Sequence, residues 1–361
     1  MLRLLYFQYM NSMSRVKWGA SFTDTFNVTN GVRQGAVLSP ILFNLYTECL
    51  SETLEQSGQG CYIGQHFYGI VVYADDIFLL APSVSSLQSM LDICNSFSKE
   101  HGLAFNAKKS MCIKFHQGYH TESVLDRFKV LLGNEKLSWA EHVKHLGHSF
   151  SCCLEFDQDI AARRGQFIGT VNNIVTDFGF AHPTCKIDML QKYGCSFYGA
   201  QLWDLYGSFF NKLCTTWNIA LRKLYNLPYR CHTRFLKHIT GLMHISFTLK
   251  RRFLKFFTNA QNSENTKVCF LTKVCKTNLS PTGLNLSRIC CEFGISSTLN
   301  ITFSKISSKL DANYQLISSL DDVEMCTCIC IRELIDCIYN FSECVLTRNE
   351  IVYMIADIAC N

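Results

Sequence analysis

The pattern of apolar positions predicts alternating helices and strands over the first 115 residues. Residues 2 to about 13 have the spacing of a short helix, and 16–18 and 22–28 have the composition of strands. Ser39 followed by Pro40 is a typical helix start, with the serine as N-cap and the proline in the first turn. Apolar residues continue at helical spacing to about residue 57, so a second helix is predicted there.

Two short apolar segments flank an acidic turn between residues 67 and 80. Residues 69–73 and 77–80 are rich in β-branched and aromatic side chains, and Ala74-Asp75-Asp76 lies between them. This arrangement predicts a β-hairpin with two adjacent carboxylates at its tip.

A further amphipathic helix is predicted after the hairpin. Ser85 and Gln88 have the spacing of a capping box at its start, and Gly102 is expected to close it. Strand-like segments at 103–105 and 111–115 then flank a polar stretch.

Beyond about residue 150 the pattern becomes mostly helical. An amphipathic stretch at 212–227 ends at Leu227-Pro228, and no apolar run is long enough to span a bilayer. After residue 265 the sequence turns rich in Ser, Thr, Asn and Cys and contains no recognisable motif. We therefore expect three regions, at 1–150, 151–265 and 266–361.

Composition excludes a disordered chain but leaves the partner open. Hydrophobic residues make up 48% of the 361 residues, which is enough for a sizeable core. The formal net charge of +5 is compatible with a polyanionic partner without requiring one.

The 20 cysteines allow two interpretations, a secreted disulfide protein or a reduced intracellular one. The N-terminus has neither the apolar segment nor the cleavage site of a signal peptide. We therefore expect an intracellular protein, in the cytoplasm or nucleus, whose cysteines act as small hydrophobic residues. The densest group, Cys326, Cys328 and Cys330 with Cys337, lacks the spacing of a zinc site.

Two constellations carry candidate chemistry, and each is ambiguous alone. Asp75 and Asp76 are suitable ligands for Mg²⁺, although Asp is also a common turn residue. Arg33-Gln34-Gly35 precedes a predicted helix N-terminus, where a ligand could approach the backbone, but ordinary loops also look like this.

Taken together and in order, these segments resemble the reverse transcriptase family, in particular its non-LTR (LINE-type) retrotransposon branch. The resemblance extends over about residues 1–260. The first segment that carries it is Arg33-Gln34-Gly35 with Leu38-Ser39-Pro40 and Leu42-Phe43, and the second is Tyr73-Ala74-Asp75-Asp76. The third is Gly102-Leu103-Ala104-Phe105-Asn106 with Lys109-Ser110, followed by a primer-grip-like element at 142–148. Post-palm segments lie around Leu202-Trp203-Asp204 and Leu227-Pro228-Tyr229-Arg230-Cys231-His232-Thr233.

The resemblance implies an α+β fold and a polymerase chemistry. The fold would be a partial palm of the right-hand polymerase fold, a helix plus a β-hairpin, followed by a mostly α-helical thumb-like region. The activity would be RNA-directed DNA polymerisation with Mg²⁺, an RNA template, a DNA primer and dNTPs.

The family's residue roles carry over to matching positions. Asp75 and Asp76 would be catalytic Mg²⁺ ligands, and Tyr73 would lie against the primer end. Arg33-Gln34-Gly35 would face the incoming nucleotide and template base. Lys109 would lie near the triphosphate, with a solvated loop lysine as the alternative.

Basic residues in the helical region would contact the nucleic-acid backbone without sequence preference. A solvated helix face remains the alternative for about half of them. The residues are Arg222, Lys223, Arg230, Arg234, Lys237, Arg251 and Arg252.

The resemblance also implies that this chain is catalytically incomplete. In the family a further catalytic Asp lies upstream of the Arg33-Gln34-Gly35 loop, whereas residues 1–30 contain one acidic residue, Asp24, at an unsuitable position. We expect the chain alone not to polymerise DNA and to expose unpaired hydrophobic surface. The alternatives are a non-catalytic nucleic-acid-binding remnant and a relic translation product.

Overall fold

The described residues form two compact units with both helices and short strands. The computed structural model describes residues 2–29, 31–33, 35–115, 128–153, 155–277, 280–295 and 303–317. Unit 1 comprises the described residues up to Cys112 together with 128–139, and unit 2 comprises 113–115 and the described residues from Ala140 onward. The last boundary between the units lies at residues 139–140, and the segment 142–148 falls in unit 2.

Unit 1 combines three helices with short paired strands. All its strand pairs are antiparallel except β9 with β12. Its elements are α1 (Leu2–Met10), β1 (Met13–Ser14), β2 (Lys17–Trp18), β3 (Ser21–Phe22), β4 (Phe26–Asn27), α2 (Ser39–Gln56), β5 (Tyr62–Ile63), β6 (His66–Phe67), β7 (Ile70–Tyr73), β8 (Asp76–Leu79), α3 (Val84–Glu100), β9 (Met111–Cys112), β10 (Leu131–Leu132), β11 (Glu135–Lys136) and β12 (Ser138–Trp139).

The hydrophobic core of unit 1 lies where α2 and α3 meet the β7–β8 hairpin. Leu50 and Leu54 from α2 and Met90 and Phe97 from α3 are buried there, and apolar residues of the hairpin pack against them. Cys94 belongs to the same cluster, and burial raises the pKa of its thiol to about 12. At this position cysteine acts as a small hydrophobic residue, as the sequence predicted.

Both predicted N-terminal caps of unit 1 are wrong in detail. The residue that precedes α2 is Leu38, which makes no side-chain cap, while the Ser39 hydroxyl donates to the Arg33 carbonyl at 2.5 Å. The cap of α3 is Ser83, whose hydroxyl accepts from the Ser86 N–H. The serine-rich start of α3 offers several candidate caps, and pattern alone could not choose between them.

Gln88, predicted as a capping residue, makes a tertiary contact instead. Its side-chain amide donates to the Leu131 carbonyl at 2.9 Å, and its carbonyl accepts from the Leu131 N–H at 2.8 Å. This pair of bonds joins α3 to the β10–β11 hairpin, a long-range contact that local sequence does not encode.

The N-terminal elements of unit 1 expose most of their apolar side chains. Helix α1 buries no residue, and every residue in strands β1 to β4 is exposed or partly exposed, including Trp18 and Phe22. The outer face of β7 adds Val71 and Tyr73 to the exposed apolar residues. Unit 1 thus presents unpaired hydrophobic surface.

Unit 2 is mostly helical, as the sequence predicted. No helix among the described residues combines the length and the apolar character needed to cross a membrane. Its elements are β13 (His142–His145), β14 (His148–Ser151), α4 (Asp157–Asp177), α5 (Pro183–Tyr193), a short 3₁₀ turn (Ala200–Leu202), α6 (Ser208–Leu224), α7 (Thr233–Thr240), α8 (Ile245–Gln261), α9 (Thr266–Thr277), α10 (Pro281–Glu292) and α11 (Phe303–Ile317).

One hydrophobic core runs through unit 2 and crosses residue 265. Phe167 of α4, Leu213 of α6 and Phe253 of α8 are fully buried in it. Ile289 of α10 and Leu310 of α11 belong to the same cluster. The described part of the predicted third region therefore packs with the second. Cys326, Cys328, Cys330 and Cys337 lie outside the described residues, and the described cysteines are free thiols.

A buried amide holds the chain that leads into α6. Asn285 of α10 is 2% exposed, and its side chain donates to the Trp203 carbonyl at 2.7 Å and accepts from the Leu205 N–H at 3.1 Å. The Trp203 indole donates in turn to Asp159 at 2.8 Å. These bonds satisfy polar groups that would otherwise be buried without partners.

We expect Asn285→Ala to lower the free energy of unfolding by about 2–3 kcal/mol, because two buried backbone groups lose their partners. Urea unfolding followed by circular dichroism measures the change. The matched control is Asn211→Ala on the exposed face of α6, which should change stability by less than about 0.5 kcal/mol. Equal effects of the two substitutions would contradict this role for Asn285.

Candidate metal and nucleic-acid sites

The two candidate metal ligands lie at the tip of the β7–β8 hairpin. The strands pair Ile70 with Leu79, Val72 with Ile77, and Tyr73 with Asp76, so that Ala74 and Asp75 form a two-residue turn. Tyr73, Asp75 and Asp76 are exposed. The predicted hairpin is confirmed, and its acidic turn is open to solvent and to any ligand.

The two faces of the hairpin differ in chemistry. Ile70, Ile77 and Leu79 pack against the core formed by α2 and α3. Residues paired across antiparallel strands lie on the same face, so Tyr73 and Asp76 share the opposite, outer face. The inner face anchors the hairpin, and the outer face presents an aromatic ring beside a carboxylate.

Close packing also fixes the base of the hairpin. A side chain at Gly69 would overlap the Phe67 ring, and Phe67 is itself buried. The Leu80 N–H donates to the Gly69 carbonyl at 2.8 Å, and the Cys61 N–H donates to the Leu80 carbonyl at 2.9 Å. The base is therefore tied to the preceding β5–β6 hairpin, and the tip lies beyond these contacts.

The turn holds one residue in an unfavourable conformation. Ala74 has φ of 52°, in the left-handed region that favours glycine. Two-residue hairpin loops need such a conformation to match the twist of the strands. The turn therefore stores some strain at the residue next to Asp75.

The other predicted nucleotide-binding residues lie on separate exposed loops. Arg33 and Gly35 are exposed on the loop before α2, and Gly35 has φ of 79°. Gln34 lies outside the described residues. Lys109 is exposed in a turn where its N–H donates to the Asn106 carbonyl at 3.1 Å. The described hydrogen bonds of Arg33 and Lys109 are local to their own loops.

The hairpin offers two carboxylates, which is fewer than a complete protein cage. No cluster of three or more His, Cys, Asp or Glu suited to a metal ion occurs among the described residues. Mg²⁺ is commonly bound by one or two carboxylates together with water and substrate phosphates. Asp75 and Asp76 therefore fit the part of such a site that one hairpin can supply.

Three of the predicted backbone-binding arginines are engaged within unit 2. Arg222 donates from Nε and Nη2 to the Cys231 carbonyl, at 2.9 and 2.7 Å. Arg251 contacts Asp311 at 3.4 Å, and Arg252 donates to the Ser196 carbonyl at 2.7 Å. Their guanidinium groups therefore hold loops and helices together.

The remaining predicted cations are more accessible. Lys223, Arg230 and Arg234 are exposed, and Lys223 donates to Asn172 at 2.8 Å. Lys237 is partly buried beside Tyr314, and burial lowers the pKa of its ammonium group. The exposed members of the set are the better candidates for contact with phosphates.

Known proteins that resemble this chain identify its first region. A sequence profile of the family described as reverse transcriptase (RNA-dependent DNA polymerase) matches residues 3–150. The chain is 32% identical over 133 residues to the Retrovirus-related Pol polyprotein from type-2 retrotransposable element R2DM of Drosophila melanogaster, covering 36% of this chain and 12% of that protein. Residues 3–150 belong to the reverse transcriptase family.

Two further relatives place this reverse transcriptase domain within the non-LTR, or LINE-type, retrotransposons. The polyprotein of the type-1 retrotransposable element R2 of Nasonia vitripennis is 33% identical over 101 residues, which cover 28% of this chain and 10% of that protein. The RNA-directed DNA polymerase from mobile element jockey of Drosophila funebris is 24% identical over 216 residues, which cover 56% of this chain and 23% of that protein. The predicted family is confirmed, and the chain spans less than a quarter of the length of each of these relatives.

We expect Ala74→Gly to slow hydrogen exchange of the hairpin amides about two- to fivefold. Glycine removes the strain of about 1–2 kcal/mol that the left-handed conformation costs alanine. Its greater loss of conformational entropy on folding offsets about half of this stabilisation of the hairpin. Exchange at Val71 and Phe78, a hydrogen-bonded pair of the two strands, measured by NMR reports the change. Ala104→Gly, at an exposed residue without positive φ, is the control and should give no slowing. Faster exchange in Ala74→Gly would refute strain in the turn.

Proposed function

We propose that residues 3–150 form part of an RNA-directed DNA polymerase of a non-LTR retrotransposon, in which Asp75 and Asp76 bind Mg²⁺. The observation that carries the proposal is the exposed pair of carboxylates on a hairpin whose inner face is anchored in a core, within a reverse transcriptase domain. The substrates would be an RNA template, a DNA primer and dNTPs.

The chemistry of the hairpin tip suits a divalent cation. Carboxylate oxygens are the ligands that Mg²⁺ prefers, and reverse transcriptases use divalent metal ions. When bound, such ions neutralise charge on the reacting phosphates and favour the attacking hydroxyl. The protein's contribution is to hold Asp75 and Asp76 at a fixed position on packed strands, so that little reorganisation accompanies binding.

The neighbouring residues fit supporting roles. Tyr73 lies on the same face as Asp76, where its ring could support the end of a primer. Arg33 and Gly35 sit on the exposed loop before α2 and, with Gln34 of the same motif, would meet the nucleotide and template base. Lys109 is an exposed cation available to a triphosphate.

We propose that the chain of 361 residues is catalytically incomplete by itself. Transfer with two metals needs carboxylates from more than one element, and among the described residues no further His, Cys, Asp or Glu is grouped with Asp75 and Asp76 as a third ligand. The relatives that it matches are several times longer than the matched segments.

A second candidate function is nucleic-acid binding without catalysis. The observation that favours it is the set of exposed cations in unit 2, which does not depend on the hairpin. Binding that survives loss of both hairpin carboxylates would separate the two functions.

We expect Fe²⁺ with ascorbate, in the presence of primer, RNA template and dNTP, to cleave the chain near residues 73–76. The iron would replace Mg²⁺ at the hairpin and generate radicals locally. Peptide mapping locates the cuts, which should disappear with excess Mg²⁺ and in the Asp75→Ala/Asp76→Ala variant. Asp24→Asn, at an exposed carboxylate elsewhere in unit 1, should not affect them. Cuts that persist in the double variant would exclude metal binding at the hairpin.

We expect the purified chain to extend a DNA primer on an RNA template no faster than its Asp75→Ala variant. A missing ligand to the metal pair commonly costs several kcal/mol of transition-state stabilisation, or on the order of a thousandfold in rate. Primer extension with Mg²⁺ and labelled dNTPs measures it. Robust extension that disappears in Asp75→Ala would overturn the proposed incompleteness while supporting the polymerase function.

A further inference from the structure

One segment of unit 2 contains basic residues and no acidic ones. Residues 205–263 include ten Lys and Arg but no Asp or Glu. The ten are Lys212, Arg222, Lys223, Arg230, Arg234, Lys237, Lys250, Arg251, Arg252 and Lys255. The segment spans α6, α7 and α8, so its charge is concentrated on one part of the fold.

Several of these charges keep their full electrostatic effect despite having partners. Arg222 and Arg252 donate to backbone carbonyls, and Lys223 donates to an amide oxygen. A neutral acceptor satisfies the hydrogen bond but does not cancel the charge. Lys250 and Arg251, by contrast, are paired with carboxylates from α10 and α11. The segment therefore generates a positive potential that suits a polyanion.

A tight turn between α6 and α7 presents an aromatic ring and a cation side by side. The Cys231 N–H donates to the Pro228 carbonyl at 3.1 Å, which makes Tyr229 and Arg230 the two central residues of a β-turn. Tyr229 is 83% exposed, and Arg230 is also exposed. We call this the 228–231 turn.

Buried residues and hydrogen bonds on either side hold the 228–231 turn in place. Leu227 and Cys231, on either side of the exposed pair, are buried in the core of unit 2. The forked bonds from Arg222 fix the Cys231 carbonyl, and the Leu227 N–H donates to the Arg222 carbonyl at 2.8 Å. A ligand that binds to the turn would thus lose little affinity to ordering of the protein.

We propose that the 228–231 turn binds single-stranded nucleic acid, with the Tyr229 ring stacked on an unpaired base and Arg230 on an adjacent phosphate. An exposed ring beside a cation, within an acid-free segment, matches both parts of a nucleotide. A duplex hides its base faces, so stacking selects single strands. The inference relies on the proposed function only for the choice of nucleic acid among polyanions.

The test of stacking uses the full chain and fluorescein-labelled single strands of dT20 and U20. Fluorescence anisotropy gives the dissociation constants. Tyr229→Ala should weaken binding on the order of tenfold, the usual effect of losing one stacked base. Tyr229→Phe keeps the ring and should bind within about twofold of the original chain.

The test of the phosphate contact is the dependence of binding on salt. Arg230→Gln should reduce the slope of log K against log salt by about 0.7, the value for one phosphate on a single strand. Tyr229→Ala should leave that slope unchanged, because stacking releases no counterions. The two substitutions therefore have separate signatures.

Matched controls come from the end of α5. Lys192 and Tyr193 are also an exposed, adjacent cation and aromatic residue, but they lie outside the acid-free segment. Lys192→Gln and Tyr193→Ala should change affinity less than twofold, and circular dichroism should show every variant folded. The proposal would be overturned if substitutions at Lys192 and Tyr193 weakened binding as much as those at Tyr229 and Arg230. It would also be overturned if Tyr229→Ala weakened binding to a blunt duplex of the same length as much as binding to a single strand.

Failure of this inference is distinguishable from failure of the proposed function. Iron-directed cleavage reports on the hairpin, and anisotropy with Tyr229→Ala and Arg230→Gln reports on the turn, so each site has its own measurement. Unchanged binding in Tyr229→Ala and Arg230→Gln would exclude the turn and leave the metal site untouched. Absence of iron-directed cuts near residues 73–76, together with binding that depends on Tyr229, would exclude the metal site and support the turn.

Discussion

Packing of one face of the β7–β8 hairpin on two helices is the interaction on which the candidate metal site depends. Asp75 and Asp76 are adjacent like charges, and an isolated two-stranded hairpin is marginally stable in water. Ile70, Ile77 and Leu79 secure the strands against α2 and α3, and the Gly69–Phe67 contact fixes the base. With the support rigid, the repulsion between the carboxylates and the strain at Ala74 are confined to the tip. There a cation would relieve the repulsion, so the least favourable part of the hairpin is also the part best suited to bind metal.

The acid-free segment of unit 2 carries the opposite charge and holds part of it in place through hydrogen bonds. A surface that binds phosphates needs cations that are held in place but not neutralised. Arg222 and Arg252 achieve this by donating to backbone carbonyls, which fixes the guanidinium groups and keeps their charge. Lys250 and Arg251 instead contact carboxylates, and their charge serves the packing of α10 and α11 onto α8. Arg222 and Arg252 thus support the fold and keep their charge, whereas Lys250 and Arg251 support it while paired with carboxylates.

The sequence predicted the elements better than it predicted their connections. The hairpin, the long helices and the helical second region all follow from periodicity and β-branched content, which are local signals. The cap of α3 was wrong because neighbouring serines offer equivalent hydroxyls, and the cap of α2 was wrong because the Ser39 hydroxyl donates to the Arg33 carbonyl instead. Gln88 was misassigned because its partner, Leu131, is distant in the chain. The packing of α10 and α11 onto the same core as α8 was missed for the same reason. At the sites, motifs singled out Asp75 and Asp76, but residue type alone could not separate Arg222, which holds a loop, from Arg230, which is exposed.

Arg222 and Arg230 would affect nucleic-acid binding in different ways. Loss of Arg222 would remove two hydrogen bonds to Cys231 and so loosen the turn that carries Tyr229 and Arg230. Any resulting loss of nucleic-acid binding would arise through the turn, although Arg222 itself need never touch a phosphate. Arg230 has no such structural duty among the described contacts, so its effect on binding would be direct. In the sequence both residues are simply arginines. The hydrogen bonds of Arg222 identify it as a residue that supports the turn, whereas Arg230 is exposed and could contact a phosphate directly.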